Sequence, residues 1–184
     1  MRLFLALELP GETRAALVAW RSGALEGRDD LRPVAPEALH VTLVFLGYRY
    51  EKEIASIAST AFDAVRGLRA PRLEPAGVVP VPAKRDPRLF ALDLVDPDGD
   101  CGAVQLAASD ALAAERFYKP EKRPFWPHVT LARVKRGVRR APPLDAEGLA
   151  LDPFTASVVT LYRSILRPQG AIYEPLEQVV IGQA

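Results

Sequence analysis

Only two histidines occur in the 184 residues of this chain, and each begins the same tetrapeptide: His40-Val41-Thr42-Leu43 and His128-Val129-Thr130-Leu131. A repeated tetrapeptide is by itself weak evidence of an internal repeat. Its weight comes from holding every histidine in the chain. The surroundings repeat too. Residues 2–9 read as a strand and residues 12–22 as a helix burying Leu17 and Trp20; a loop over 29–36, with Pro33 and Pro36, then leads into the apolar run 39–46. In the second half, 88–95 reads as a strand and 103–117 as an alanine-rich helix with Asp100 as its N-cap. A loop with Pro120, Pro124 and Pro127 leads into a strand at 128–134. The repeated order of strand, helix, proline-rich loop and motif strand constrains the chain to an α+β fold. We expect one bilobal domain over 1–184 with a pseudo-two-fold arrangement, each lobe an antiparallel or mixed sheet with helices on its outer face, and a central cleft between.

The remaining segments fit this frame. Ile54, Ile57, Ala58, Ala61, Phe62 and Val65 follow the stripe of an amphipathic helix. Residues 69–87 carry five prolines (71, 75, 80, 82 and 87), which leaves room for a short strand at 77–81 and a connection between the lobes near 67–87. Residues 154–166 and 171–181 read as two long strands joined near Pro168-Gln169-Gly170.

Composition narrows the class. A hydrophobic share of 49% and a charged share of 26% are those of an ordinary globular protein. The apolar start is interrupted by Glu8 and Pro10, and no run is long enough to span a bilayer, so no membrane role is expected. The single cysteine, Cys101, has no partner within the chain, and a cytoplasmic location is the default. Net charge is only +1, yet Arg116 to Arg140 contains nine Lys or Arg (116, 119, 122, 123, 133, 135, 136, 139 and 140) against one acid, Glu121. Such a segment beside a motif suits a phosphate-rich ligand, although a solvated charged face is the alternative.

Side chains alternate along a strand, so His40 and Thr42 share one face while Val41 and Leu43 share the other, and likewise in the second copy. Two imidazoles near neutral pH can serve as one base and one acid. Threonine hydroxyls can donate to phosphate oxygens where charge develops. Two histidines without thiolates or a motif carboxylate are too few ligands for a catalytic metal, so no metal is expected.

The blocks Arg2 to Pro10, Leu39 to Gly47, Arg123 to Arg133, Leu161 to Ser164 and Gly170 to Leu176 together resemble the 2H phosphoesterase superfamily, in particular its RNA 2',3'-cyclic phosphodiesterases, also called 2'-5' RNA ligases. The likeness covers nearly the whole chain; Val44 and Phe90 stand where many relatives have Lys and Trp. The resemblance implies hydrolysis of RNA ends bearing a 2',3'-cyclic phosphate, such as transfer-RNA fragments, to 2'-phosphomonoesters. It implies no cofactor, with His40 as proton donor, His128 as proton acceptor, and Thr42 and Thr130 holding the phosphate. The reverse reaction, with a 5'-hydroxyl end in place of water, is ATP-independent 2'-5' ligation. A monomer without an obligatory protein partner is expected. The alternatives are a related activity on small cyclic nucleotides or 2'-5' oligonucleotides, metal-dependent hydrolysis, and a noncatalytic RNA-binding module.

Further substrate contacts are open. Strict alternation turns Arg133 away from His128 and Thr130 unless a bulge intervenes. Phe125 and Trp126 stack on a base or pack in the core. Arg163, on a strand, needs a phosphate or a carboxylate. Lys119, Lys122, Arg123, Lys135, Arg136, Arg139 and Arg140 form a candidate RNA-facing rim on charge density alone.

Overall fold

The apolar run after Met1 forms β1 (Arg2–Glu8), five of whose residues are buried in succession. It leads through Pro10 into α1 (Gly11–Ala24), which buries Leu17 and leaves Trp20 partly covered. This computed structural model describes residues 1–167 and 170–183. The proline loop holds a three-residue strand, β2 (Leu31–Pro33), that period-2 patterning is too short to reveal. The first motif opens β3 (His40–Tyr48), the apolar stripe forms α2 (Ile54–Val65), and β4 (Arg72–Val81) and β5 (Leu89–Val95) follow. Next come α3 (Asp100–Ala114) and the second motif strand, β6 (His128–Val134). The chain ends in β7 (Phe154–Thr155), β8 (Val158–Arg167) and β9 (Gly170–Val180). Of the turn expected near 168–170, Pro168 and Gln169 lie outside the described residues.

All strand pairs are antiparallel, and among the described residues they form one sheet in the order β7-β4-β5-β6-β3-β1-β8-β9, with β2 pairing β6. Its two halves meet at β3 and β6 through a single partnered pair, Val41 and Val129. One face carries the main core: Val41, Leu43, Val129 and Leu131 pack there with Ile57 and Ala61 of α2 and Val104 and Leu112 of α3. The other face forms the cleft. Among the described residues no helix is long and apolar enough to cross a membrane.

The structure corrects several expectations. β4 is ten residues long rather than a short strand in a connector, so only 66–71 link α2 to it. Its prolines are tolerated because β4 pairs with β5 on one side, through a bulge at Ala76 beside Pro75, but with β7 only at Arg72 and Leu73 on the other. The N-cap position of α3 is Gly99, at φ 75°, not Asp100. Its first amides are satisfied by Asp96, whose carboxylate accepts from the Cys101 and Gly102 N–H groups at 3.2 and 2.8 Å. The strand expected over 154–166 breaks at Ala156-Ser157, where the chain passes from β4 to its place beside β1.

A pair of matched irregularities shapes the site. Along β1, Ala6 opposes Thr42 and Leu5 opposes Val44, which leaves Leu43 without an opposite number. Along β5, Ala91 opposes Thr130 and Phe90 opposes Ala132, which skips Leu131. Each motif strand therefore carries a bulge at the same place, with two consecutive buried residues, Leu43-Val44 and Leu131-Ala132. Beyond the bulge the alternation shifts by one residue.

Candidate active site

The antiparallel Val41–Val129 pair has a local two-fold axis through it. Extending that register by one residue sets His40 beside Thr130 and Thr42 beside His128, all on the face opposite the buried valines. All four side chains line one cleft of about 1090 Å³. The sequence rule of alternation thus places each histidine and threonine, and the β3–β6 pairing brings the two sets together.

Each histidine is anchored the same way. His128 Nδ1 donates to the Trp126 carbonyl at 2.8 Å, and the His40 ring bonds the backbone of Ala38, again two residues earlier. This leaves the Nε2 of His128 as its free nitrogen, while the Nε2 of His40 lies 3.0 Å from Thr42 Oγ1. An aromatic ring braces each imidazole. Trp126 stacks on His128 at 4.0 Å between centroids and 15° between planes, and its Nε1 donates to Asp93 at 2.6 Å. Around His40 lie Phe4 at 4.9 Å, Tyr173 at 5.3 Å and Tyr162 at 6.1 Å; the Tyr162 hydroxyl donates to Glu8 at 2.9 Å. Glu8 opposes His40 and Asp93 opposes His128, so the two carboxylates hold equivalent places. The signal for them was in the sequence: Leu5-Ala6-Leu7-Glu8 and Phe90-Ala91-Leu92-Asp93 are a second, weaker repeat.

Burial pushes the His40 imidazole down from 6.5 to about 4, a shift only partly offset by the Ala38 backbone bond and reinforced by His128 and Arg133. It is therefore neutral at pH 7. The unfolded chain binds the proton more readily than the folded one between these values. Stability is therefore lost as pH falls from 6.5 to 4, by at most about 3 kcal/mol. In urea unfolding at pH 7 and pH 4, His40→Gln should lose less stability than the parent by up to this amount; equal losses would mean that His40 does not titrate as its burial requires.

The structure redistributes the other predicted contacts. Arg133 lines the cleft, because the bulge at Leu131-Ala132 turns it to the face of His128 and Thr130. Phe125 instead packs against the main core, and Trp126 braces His128 rather than presenting a free face to a base. Lys122 and Arg123 are exposed and do not line the cleft, and Arg123 pairs with Glu121 at 2.8 Å. Lys119, Lys135, Arg136, Arg139 and Arg140 are also exposed away from it. Arg163 meets the Glu174 carboxylate at 3.5 Å, on the side of β8 away from the cleft, while its neighbour Ser164 lines it. Val44 and Phe90 are buried in the core.

Sequence reasoning missed Arg2, Phe45, Arg21 and Arg32, which all line the cleft. Phe45 occupies the position equivalent to Arg133, five residues after its histidine, and the Arg2 guanidinium lies 5.2 Å from its ring. A pattern search cannot pair these residues, since Phe and Arg share no chemistry. Among the described residues, no three His, Cys, Asp or Glu side chains group so as to hold a metal ion.

Comparison with known proteins agrees with this architecture. The family model described as LigT like Phosphoesterase matches residues 7–90 and 98–173, one motif in each segment. The RNA 2',3'-cyclic phosphodiesterase of Thermus thermophilus is 34% identical over 193 residues, covering 97% of this chain and 89% of that protein. The enzyme of the same name from Escherichia coli is 31% identical over 195 residues, covering 99% and 97%. Among solved structures, a Thermus thermophilus protein superposes with a TM-score of 0.79 at 31% identity over 98% of both chains. Escherichia coli LigT complexed with 3'-AMP gives 0.75 at 26% identity, covering 99% of this chain and 98% of that one. With one of the paired strands that carry His40 and His128 in each matched segment, the chain belongs to the LigT-like phosphoesterase family.

Proposed function

We propose that the chain hydrolyses RNA ends bearing a 2',3'-cyclic phosphate to 2'-phosphomonoesters, and that residues 1–184 act as one bilobal domain in doing so. The observation that carries this reading is the two-fold relation of the histidine and threonine pairs across one cleft. An in-line displacement at phosphorus needs a proton taken from the entering oxygen and one given to the oxygen leaving on the opposite side. Two related imidazoles are suited to this. The names of the Thermus and Escherichia relatives, and the 3'-AMP complex of the latter, support a ribose-phosphate substrate.

In this mechanism His128 is the base. Its Nδ1–H is held by the Trp126 carbonyl, which fixes the tautomer with the lone pair on Nε2. As the water oxygen bonds to phosphorus, its proton passes to that nitrogen. The P–O3' bond breaks, and His40 gives its proton to the 3'-oxygen, leaving the phosphate on the 2'-oxygen. A bound phosphate favours the imidazolium form of His40, against the burial that otherwise keeps it neutral. The Thr42 and Thr130 hydroxyls donate to the non-bridging oxygens. No step uses a metal or a cofactor. Run in reverse with a 5'-hydroxyl RNA end, the same groups form a 2'-5' linkage.

The test is product identity. A short RNA ending in a 2',3'-cyclic phosphate should yield a 2'-phosphate, followed by phosphorus NMR, and turnover should persist in chelator. A 3'-phosphate product would reverse the assigned leaving group.

A further inference from the structure

The charge of the cleft is out of proportion to that of the chain. Net charge is +1 overall, yet the described cleft lining contains five arginines (2, 21, 32, 133 and 167) and no Asp or Glu. Three of them come from neighbouring elements at the end beyond Thr130. Arg32 and Arg133 are direct partners across the β2–β6 ladder. Cross-strand partners project to one face, so both guanidinium groups are brought to the cleft.

Arg21 of α1 is only 5% exposed. Its Nη1 donates to the Leu131 carbonyl at 3.1 Å, the same oxygen that accepts the Val34 N–H at 3.0 Å. Arg21 therefore grips the bulge that aims Arg133. Among the described residues neither Arg21 nor Arg133 has an ion pair with a carboxylate. Arg21 lines the cleft, and none of its nitrogens is among the sealed side-chain atoms without a hydrogen-bond partner in the described residues. A buried guanidinium without a counter-ion is costly, and an anion bound there offsets that cost.

A 2',3'-cyclic phosphate carries one negative charge, and the threonines already address its oxygens. Arg133 lies three residues past Thr130 along β6, at the end of the cleft where β2 and α1 meet that strand. We propose that Arg21, Arg32 and Arg133 form a second anion subsite that takes the phosphodiester on the 5' side of the terminal nucleotide. The site thereby reads an RNA end in preference to a mononucleotide. This rests on the reading given under Proposed function.

The test compares calorimetric affinities for adenosine 2'-monophosphate and for the dinucleotide ApA ending in a 2'-phosphate. The parent protein should bind the dinucleotide at least tenfold more tightly. Arg32→Gln, and Arg21→Met where it folds, should lose most of that ratio, and the ratio should shrink as salt rises. Equal parental affinity for the two probes overturns the subsite, as does an equal loss of both in Arg32→Gln. Inorganic phosphate that binds the parent and is not displaced by the dinucleotide assigns the cradle to a free anion and also overturns it. If the ratio holds but no cyclic-phosphate end is turned over, the hydrolase reading fails alone.

Discussion

His128→Ala and His40→Ala should each lower kcat on a 2',3'-cyclic phosphate RNA end by about 10³-fold, within the range of lost general acid or base catalysis. KM should move far less in His128→Ala, because that imidazole is not asked to bind the ground state, and more in His40→Ala, whose imidazolium faces the bound phosphate. The residues act as a unit, so the double variant should fall little below either single one. Folding should survive: both side chains face the cleft, and the core-facing partners Val41 and Val129 are untouched. Single-turnover rates together with urea midpoints check this. A variant that keeps parental turnover would return its histidine to a structural role and favour a noncatalytic RNA-binding module.

Thr42→Val and Thr130→Val come next, each with an expected loss of about 10²-fold in kcat, the cost of removing one donor aimed at developing negative charge. Valine keeps the β-branched shape, so the strand and its bulge are preserved, and Thr→Ser should restore most of the activity because it restores the donor. The two positions are not equivalent. Thr42 Oγ1 sits 3.0 Å from His40 Nε2, so its hydroxyl must release that imidazole as a phosphate enters. Thr42→Val should therefore change the pH dependence of kcat/KM, whereas Thr130→Val should lower the rate without changing its form. Matching pH profiles for the two variants would show that the Thr42 contact has no bearing on proton transfer.

Several features were legible in the sequence because they depend on local periodicity. Period-2 alternation put His40 with Thr42 and His128 with Thr130, and the second motif strand begins at His128 as expected. The apolar stripe of α2 buries Ile57, Ala58, Ala61, Phe62 and Val65 as its spacing requires. A run of prolines misled at β4, since proline excludes a strand from the middle of a sheet but not from a sparsely paired flank. Charge density at 116–140 does not by itself identify the cleft lining, where of nine cations only Arg133 is found.

The sequence by itself determined that two matched strands each carry an imidazole and a hydroxyl on one face, because the sign of a side chain's direction is a property of a single strand. Only the tertiary structure decided what those faces meet. Pairing of Val41 with Val129 set the two motifs about one axis, and the skipped residues Leu43 and Leu131 reversed the alternation beyond them. Which side chains then reach the cleft depends on register against β1, β5 and β2. Phe45, Arg32 and Arg133 are placed by partners that lie far away in the chain, through hydrogen bonds that no window of neighbouring residues contains.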